Sequence, residues 1–322
     1  RGENPIKSRS KSSTFEDVAE QYLEKKLKEV ASRAQQNGYK NTVRNIAVGA
    51  WGRRPIDQIS RDDVLHLLRP EWRSDGKLET YKRLRARLEG IFSLAIAGGL
   101  MSPPNPAAWK DNLEHFLPDA EAIQRRESFP AMHYRDAPAF YRQITKGGTM
   151  SHRCLELYLL TIGARVGGTR HCQWQQVENA KWVCPAEFHK NKKVDWATPL
   201  TAHAQDVLMR ARQIAPCKSE WVFQSPQWRK KQGPISNTAV SKVHDALAPD
   251  DPQQGRQADI HGWRSTFKTW AEEQTDYDSK LIEVQSGRGF TRNHAEAVYM
   301  RGEMLEKRTA LLLDWEEFLT NG

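Results

Sequence analysis

Apolar residues recur every three or four positions along one long stretch of the chain, and this is the period of a helix with one buried face. The repeating residues are Leu78, Tyr81, Leu84, Leu88, Ile91 and Ala95. The pattern predicts a helix over Leu78–Ala97. Lys82, Arg83, Arg85 and Arg87 fall mainly off the buried stripe, so they form either a solvated face or a surface that binds a polyanion.

Two further helices are indicated by capping boxes, in which the cap residue and the third helical residue bond each other's backbone. Ser13-x-x-Glu16 is expected to open the first of them, and Ser60-x-x-Asp63 the second. Pro70 is expected to stop the second helix, because proline lacks an amide hydrogen and clashes with the preceding turn.

Beyond residue 130 the period of the apolar residues changes. Helices are expected near Tyr134–Ile144 and His152–Ile162. Three short apolar or aromatic runs then alternate with polar turns, as in a small antiparallel sheet. These runs are Trp174–Val177, Lys181–Cys184 and Ala197–Leu200. Helices return from about Ala202, and His261–Glu273 is expected to be one helix with its tryptophans and Phe267 buried.

We therefore predict a mainly α-helical protein with a small antiparallel β-sheet, divided into two domains, a number that suits 322 residues. Residues 1–12 are polar and are expected to be a linker. A helical domain is expected over 13–117, an interdomain linker over 118–130, and the second domain over 131–322, where it closes with a tail helix.

The charge of the chain indicates a polyanionic partner. The net charge is +9 and the isoelectric point is near 9.3. Residues 1–118 hold 21 Lys and Arg against 15 Asp and Glu, so the excess is concentrated in the first domain. Such an excess is typical of a nucleic-acid-binding surface, although a modest positive charge also serves solubility.

The cysteines and the hydropathy exclude several classes of protein. Four cysteines lie far apart, without a Cys-x-x-Cys pair, so neither a disulfide framework nor a zinc site is predicted. No apolar run approaches the roughly 18 residues of a membrane span. We expect a cytoplasmic protein with no membrane partner.

A set of cations and one late tyrosine points to chemistry on a phosphodiester. Its members are Arg165, Lys190, His261-x-x-Arg264 and Tyr299. In-line attack adds negative charge to the phosphate oxygens, and arginine meets that charge with a planar, permanently charged fork. A phenol with an ordinary pKa near 10 needs a neighbouring proton acceptor, for which His261 is suited. Such a set needs no metal ion or nucleotide cofactor.

A His-x-x-Arg pattern alone is weak evidence, because a second copy, His66 to Arg69, occurs in the first domain. The order of Leu160–Arg165, His261–Arg264 and Val298–Arg301 is more specific. With it, the chain resembles the tyrosine recombinase (phage integrase) family, most closely the class carried by temperate phages and genomic islands. Ser13–Ala19, Asn105–Ala107 and the tail from Leu305 to Leu319 resemble further parts of that class.

The resemblance implies a role for each residue of the set. Arg165 and Arg264 would bind the scissile phosphate, and Tyr299 would attack it to form a 3′-phosphotyrosyl bond with help from His261. Lys190 would protonate the leaving 5′ oxygen. Lys192 and Lys193 lie in the same turn, so they are alternatives for the acid and candidates for DNA binding, as are the four cations near Leu84.

The resemblance also implies the assembly. The two domains would form a C-shaped clamp on double-stranded DNA attachment sites. Four protomers on two synapsed sites would exchange strands through a Holliday junction, in the cytoplasm of a bacterial host and near its nucleoid. A directionality factor and a host DNA-bending protein are further candidate partners.

One motif departs from the family. Between Arg264 and Tyr299 the family has Leu-x-His or a tryptophan in the histidine position, whereas this chain has Ser286-Gly287-Arg288. Arg288 can donate to a phosphate oxygen but cannot shuttle a proton. The alternative is that His294 supplies the missing histidine.

Two other functions are compatible with the same residues. A type IB topoisomerase uses the same chemistry on a single duplex, and it would not join two marked sites. A DNA-binding protein that has lost catalysis would bind without forming a covalent adduct, and Arg288 is its only support.

Both ends of the chain carry an expectation. The chain begins at Arg1, and Gly2–Pro5 resemble the linker that follows a small arm-site-binding domain in this class, so we expect that domain to be lacking. The tail holds more apolar surface than a lone terminal helix is expected to bury in its own domain. Its apolar residues are Leu305, Leu311, Leu312, Leu313, Trp315 and Phe318. We therefore expect it to dock on a neighbouring protomer.

Overall fold

The computed structural model describes residues 13–30, 33–72, 77–118, 128–188, 195–229, 232–287 and 304–322. The chain divides into two compact units, residues 1–127 and 128–322, and each has its own hydrophobic core. The division falls within the stretch predicted to link the domains.

Unit 1 (residues 1–127) is helical. Its main helices are α1 (Phe15–Glu29), α2 (Arg33–Lys40), which continues as a π-helix over Asn41–Val48 and ends with Gly49–Trp51, α3 (Arg61–Trp72) and α4 (Leu78–Ala97). Single 3₁₀ turns lie at Ile56–Gln58 and Leu113–His115. The helix predicted over Leu78–Ala97 is confirmed, and its apolar stripe is buried apart from Tyr81, which is partly exposed.

The first capping box is one residue away from its predicted place. Thr14, not Ser13, caps α1: its Oγ1 accepts from the Asp17 N–H at 3.3 Å, and Asp17 Oδ2 accepts from the Thr14 N–H at 2.9 Å. Both Ser and Thr can cap, so the choice depends on tertiary contact. Backbone bonds from Phe15 to Arg54 and from Ile56 to Ser13 hold Thr14 in the cap position.

The second box is confirmed, but the predicted helix end is wrong. Ser60 and Asp63 bond each other's backbone at 2.8 and 3.2 Å. Helix α3 runs through Pro70 to Trp72. Trp72 is buried, its indole N–H donates to the Pro118 carbonyl at 3.0 Å, and its ring stacks on Trp109. These contacts keep the last turn helical despite the proline.

Unit 2 (residues 128–322) packs helices around a small sheet. Its helices are α5 (Ala137–Lys146), α6 (Met150–Thr161), α7 (Val166–Arg170), α8 (Ala202–Gln213), α9 (Asn237–Asp245), α10 (Trp263–Gln274), α11 (Ser279–Gln285) and α12 (Leu305–Asn321). A 3₁₀ turn at Tyr134–Asp136 leads into α5, and another lies at Ala186–Phe188. The aromatic residues predicted to be buried on α10 are buried.

The sheet has the order β1-β2-β3, and both pairs are antiparallel. Its strands are β1 (Val177–Glu178), β2 (Lys181–Cys184) and β3 (Trp196–Pro199). The first predicted run was too long, because Trp174–Gln176 is a 3₁₀ turn capped reciprocally by Gln173 and Gln176. The third strand begins one residue earlier than predicted, with Trp196 opposite Cys184.

The tail helix packs on its own unit, so the expectation that it needs a neighbouring protomer to cover its apolar face is wrong. Leu311, Trp315 and Leu319 belong to the unit 2 core. The Trp315 indole N–H donates to the Leu159 carbonyl at 2.8 Å, and its ring lies 4.8 Å from that of Trp270. Of the large apolar residues on this helix, only Leu313 is exposed, at 48%.

The four cysteines are free thiols, and Cys217 is the only one that is not buried. Across the ranges that the structure describes, no helix is both long and apolar enough to cross a membrane.

Candidate active site

Arg165 sits at the start of α7, after a tight connection from α6. The connecting residues are Ile162, Gly163 and Ala164, all buried, and we call Thr161–Arg165 the arginine loop. Gly163 is needed there because a Cβ would lie 1.8 Å from the Trp196 ring and 2.5 Å from the Gln285 carbonyl oxygen. Arg165 itself is half-buried, at the cap position of α7. The loop thus holds Arg165 where its side chain keeps access to solvent.

Arg264 is bonded to the same loop. It is the second residue of α10 and only 7% exposed, and its Nη2 donates to the Gly163 carbonyl. Gly287 lies close to both groups, because a Cβ there would be 2.6 Å from the Gly163 oxygen and 3.4 Å from Arg264 Nη2. Its φ of +67° also favours glycine. The connection after α11 therefore reaches the two arginine segments.

His261 lies in the turn just before α10. Its side chain is 43% exposed, and its Nδ1 is 3.4 Å from Asp259 Oδ1. That same carboxylate oxygen accepts from the His261 backbone N–H at 2.6 Å. The Phe129 ring lies 5.2 Å from the imidazole. Gly262 closes the turn against Pro130, whose oxygen would be 2.1 Å from a Cβ. The imidazole is thus held by a carboxylate and an aromatic ring while part of it stays accessible.

The electrostatics of His261 suit a proton acceptor. Burial lowers its pKa, Asp259 opposes this shift, and Arg264 and Arg165 lower the pKa further. The net result is a pKa below the ordinary value, so the ring is neutral at pH 7. A proton on Nδ1, facing Asp259, leaves the Nε2 lone pair free to accept one. Arg264 follows His261 by three residues and is bonded to Gly163, two residues before Arg165, so the structure brings the three residues together.

Tyr158 lies close to Arg264 but is unsuited to attack. Its ring is buried, and burial raises the pKa of its phenol despite the nearby arginine. Its hydroxyl donates to the Ile260 carbonyl at 3.0 Å. Tyr158 therefore supports the turn before α10 by bonding Ile260, the residue that precedes His261.

Several predicted site residues lie outside the described residues. They are Lys190, Lys192 and Lys193 in the turn between β2 and β3, and Arg288, His294 and Tyr299 between α11 and α12. Their roles remain predictions. The last paired residues of β2 and β3 before this turn are Cys184 and Trp196.

Two of the four cations predicted on α4 make internal contacts. Arg85 forms an ion pair with Glu89 and lies over the Trp109 ring at 5.6 Å. Arg87 donates to the Gly38 carbonyl at 2.7 Å and lies over the Tyr39 ring at 4.0 Å. Both side chains therefore join α4 to other segments of unit 1.

The other two cations on α4 are more accessible. Arg83 is 68% exposed and Lys82 is 35% exposed, and each lies 3.6 Å from Glu79. Such long, exposed ion pairs contribute little to stability. Lys82 and Arg83 are therefore the better candidates for contact with DNA phosphates.

The residues that hold the site in place could not be picked out by the motifs that indicated Arg165, His261 and Arg264. Asp259 could have been predicted as a partner of His261, because it stands only two positions before it in the sequence. Trp196 and Gln285 had no such local signal, because they reach Gly163 only through the packing of distant segments.

Known proteins resemble this chain over both units. Residues 15–112 match the phage integrase central domain family. Over 268 residues the chain is 26% identical to prophage integrase IntZ of Escherichia coli (strain K12), a match that covers 83% of this chain and 61% of IntZ. Both matches support the resemblance of the chain to the tyrosine recombinase (phage integrase) family. The chain spans less than two thirds of the length of that relative.

Solved integrases share the fold. A lambda integrase (residues 75–356) dimer bound to a COC′ core site matches with a TM-score of 0.62 and 17% identity, over 90% of this chain and 96% of that one. The Tn1549 transposon integrase, in complex with a circular intermediate DNA, matches with a TM-score of 0.59 and 13% identity, over 88% and 93%. This chain therefore shares its mainly helical fold with these solved integrases.

Proposed function

We propose that this protein is a site-specific DNA recombinase that cleaves and rejoins DNA through a 3′-phosphotyrosyl intermediate on Tyr299. The observation that carries the proposal is the convergence at the arginine loop. Arg264 is bonded to Gly163, Arg165 follows two residues later, and both influence a neutral, partly exposed His261. Two fixed cations and a proton acceptor are what attack by a phenol on a phosphodiester requires.

In the proposed reaction, a named side chain stabilises the charge or transfers the proton at each step. Arg165 and Arg264 donate to the nonbridging oxygens, and His261 takes the phenol proton as the Tyr299 oxygen attacks phosphorus. The bond from phosphorus to the 5′ oxygen breaks, and Lys190 protonates that oxygen. A 5′ hydroxyl from another strand then attacks the phosphotyrosine by the reverse path. The phosphotyrosyl ester conserves the energy of the phosphodiester bond that was broken, so no nucleotide has to be hydrolysed to rejoin the strands.

The relatives suggest the partners. The solved lambda integrases are a dimer on a core site and a tetramer on a Holliday junction, so we propose four protomers on two attachment sites. Unit 1 would contact the DNA backbone through Lys82 and Arg83. The prophage relative favours a bacterial host and a mobile element as the origin of the substrate DNA, with a directionality factor and a DNA-bending protein as accessory partners.

The proposal is tested with nicked duplexes that cover candidate attachment sites. Such substrates trap the covalent intermediate, because the short cleaved fragment diffuses away. We expect a denaturation-resistant protein–DNA adduct with the unchanged protein. Tyr299→Phe should abolish the adduct and leave DNA affinity nearly unchanged, because only the attacking oxygen is removed. Tyr277→Phe is the matched control, since the Tyr277 hydroxyl bonds Asp314 at 2.7 Å, and it should keep the adduct.

The outcomes separate the alternatives. Joining of two differently labelled duplexes supports recombination, whereas rejoining within one duplex only would indicate a topoisomerase-like activity. Binding without any adduct would indicate a DNA-binding relative that has lost catalysis. An adduct that persists in Tyr299→Phe would assign the nucleophile to another residue.

A further inference from the structure

The tail helix α12 carries a fully buried arginine. Arg308 has no solvent exposure, although burying a guanidinium is unfavourable unless its charge and donors are met. Its Nε donates to Gln285 Oε1 at 2.7 Å, and its guanidinium carbon lies 4.9 Å from the centre of the Trp196 ring. A hydrogen bond and a cation–π contact therefore tie Arg308 to two other segments of unit 2.

Gln285 and Trp196 both touch the arginine loop. Gln285 is itself fully buried, and its Nε2 donates to the Thr161 carbonyl at 2.6 Å. Trp196 lies against Gly163 so closely that no Cβ fits between them. Arg308 on α12 is thus linked to the arginine loop in two ways, through the Gln285 amide and through the Trp196 ring.

The arginine loop needs such support. Ile162 has a φ of +53°, which is strongly disfavoured for a β-branched residue and persists only where the surroundings impose it. The amide of Gln285 fixes the backbone just before Ile162, and the Trp196 ring presses on the backbone just after it. Arg308 orients both of these side chains.

We propose that Arg308 is a positioning residue, through which the tail helix of the same chain holds Arg165 in its reactive place. The inference rests on the proposed function, which makes Arg165 a phosphate ligand. Docking of α12 does not need this arginine, because Leu311, Trp315 and Leu319 already bury its apolar face. Burying the guanidinium is costly in itself, and what it adds is a fixed placement of Gln285 and Trp196 through the contacts it makes with them.

The test separates geometry from stability. Arg308→Met removes the donor to the buried Gln285 oxygen, so it should lower the melting temperature, by no more than Leu319→Ala does, and leave DNA affinity close to that of the unchanged protein. It should slow single-turnover adduct formation by about 10–100-fold, because displacing a reacting group by about 1 Å costs up to that much. Leu319→Ala is the structural control: it should lower the melting temperature and, at a temperature where the protein is folded, leave the adduct rate unchanged. Lys307→Met, at an exposed position on the same helix, should change neither.

A second variant tests the path through the amide. Gln285→Glu keeps an oxygen for Arg308 and removes the donor to the Thr161 carbonyl. It should slow adduct formation in the same direction as Arg308→Met. Normal adduct rates in both variants would overturn the proposal, and so would an equal fall in rate in Leu319→Ala, because the effect would then come from tail docking alone.

Hydrogen exchange gives a readout that does not depend on activity. In protein without DNA, Arg308→Met should speed amide exchange in residues 161–166, whereas Leu319→Ala should affect the last turn of α12 and spare the loop. If the unchanged protein forms no adduct, the proposed function fails while this measurement still tests the link. Unchanged exchange in the loop of Arg308→Met would overturn it.

Discussion

Single residues set the chemistry of the site, and His261 shows how. One carboxylate and two guanidinium groups act on its imidazole in opposite directions, and burial decides the outcome. A lowered pKa keeps the ring neutral, and therefore able to accept a proton, over a wider range towards acid pH. The two arginines that would bind the phosphate thus also tune the base.

The pH dependence of cleavage tests this balance. We expect the adduct rate to fall on the acid side only below the ordinary histidine pKa of about 6.5. Asp259 is the group that raises the pKa of His261, so Asp259→Asn should move this acid limb to still lower pH. Asparagine keeps an oxygen for the His261 N–H. Rates measured from pH 5 to 8 check this, with the exposed Asp62→Asn as control, and a shift to higher pH would contradict it.

Arg288 is the second test at this scale, because the family has histidine or tryptophan in its place. Gly287, the residue before it, lies against the Gly163 carbonyl and Arg264. If Arg288 donates to the scissile phosphate, Arg288→Ala should slow cleavage by about 10²–10³-fold, the usual effect of removing one transition-state donor. Arg288→His should retain substantial activity, and His294→Ala should be normal. The reverse pattern in single-turnover assays would assign the role to His294.

At the scale of elements, the tail helix is joined to unit 2 by a polar cluster as well as by its apolar face. His203 on α8 lies 3.6 Å from Glu156 on α6 and 3.9 Å from Glu316 on α12. Tyr141 and Arg210 also face this group, and Arg210 bonds Glu156 at 2.8 Å. Glu156 raises the pKa of His203, burial opposes this, and Glu316 raises it further. A protonated His203 therefore bridges two carboxylates.

This cluster predicts how stability depends on pH. Because the folded-state pKa of His203 is raised, its contribution is fully present below the unfolded value of about 6.5 and is lost as the pH rises through the folded value. The difference in melting temperature between the unchanged protein and His203→Gln should thus be larger at pH 6 than at pH 8.5. His66→Gln, at an exposed position on α3, is the control. An equal difference at both pH values would contradict the prediction.

For the whole molecule, the positive charge can serve the proposed DNA binding only where it is accessible. Helix α4 makes the distinction, since Arg85 and Arg87 support unit 1 whereas Lys82 and Arg83 face solvent more freely. A count of cations in the sequence treats the four alike. The net charge of +9 therefore indicates the class of partner and does not locate the surface that binds it.

Salt dependence separates the two pairs of cations. Replacing both Lys82 and Arg83 by Gln should lower the slope of log affinity against log salt by about one for each DNA phosphate that the variant no longer neutralises. Arg87→Met should instead lower the melting temperature and leave that slope unchanged, because its guanidinium bonds the Gly38 carbonyl and covers Tyr39. Affinities measured over a range of salt check this, and an unchanged slope in the first variant would make α4 a solvated face.

Features that depend on neighbours along the chain could be predicted from the amino-acid sequence. The helical period of Leu78–Ala97, the capping box at Ser60 and the pattern at His261–Arg264 each depend on residues a few positions apart. Local signals failed where two nearby choices were equally good, as for Ser13 and Thr14, and where a distant contact outweighed them, as for Pro70 and Trp72.

The contacts that hold the candidate site together join segments that are distant in sequence. Gln285 and Thr161 are 124 positions apart, and Arg308 is buried beside them. No period or spacing in the sequence records such a contact, because it exists only after α6, α11, β3 and α12 have packed. The same packing buries the apolar face of α12, which the sequence alone had led us to expect on a neighbouring protomer. Burial in a core depends on surfaces that other segments bring to it, and these are not visible in the sequence of the helix.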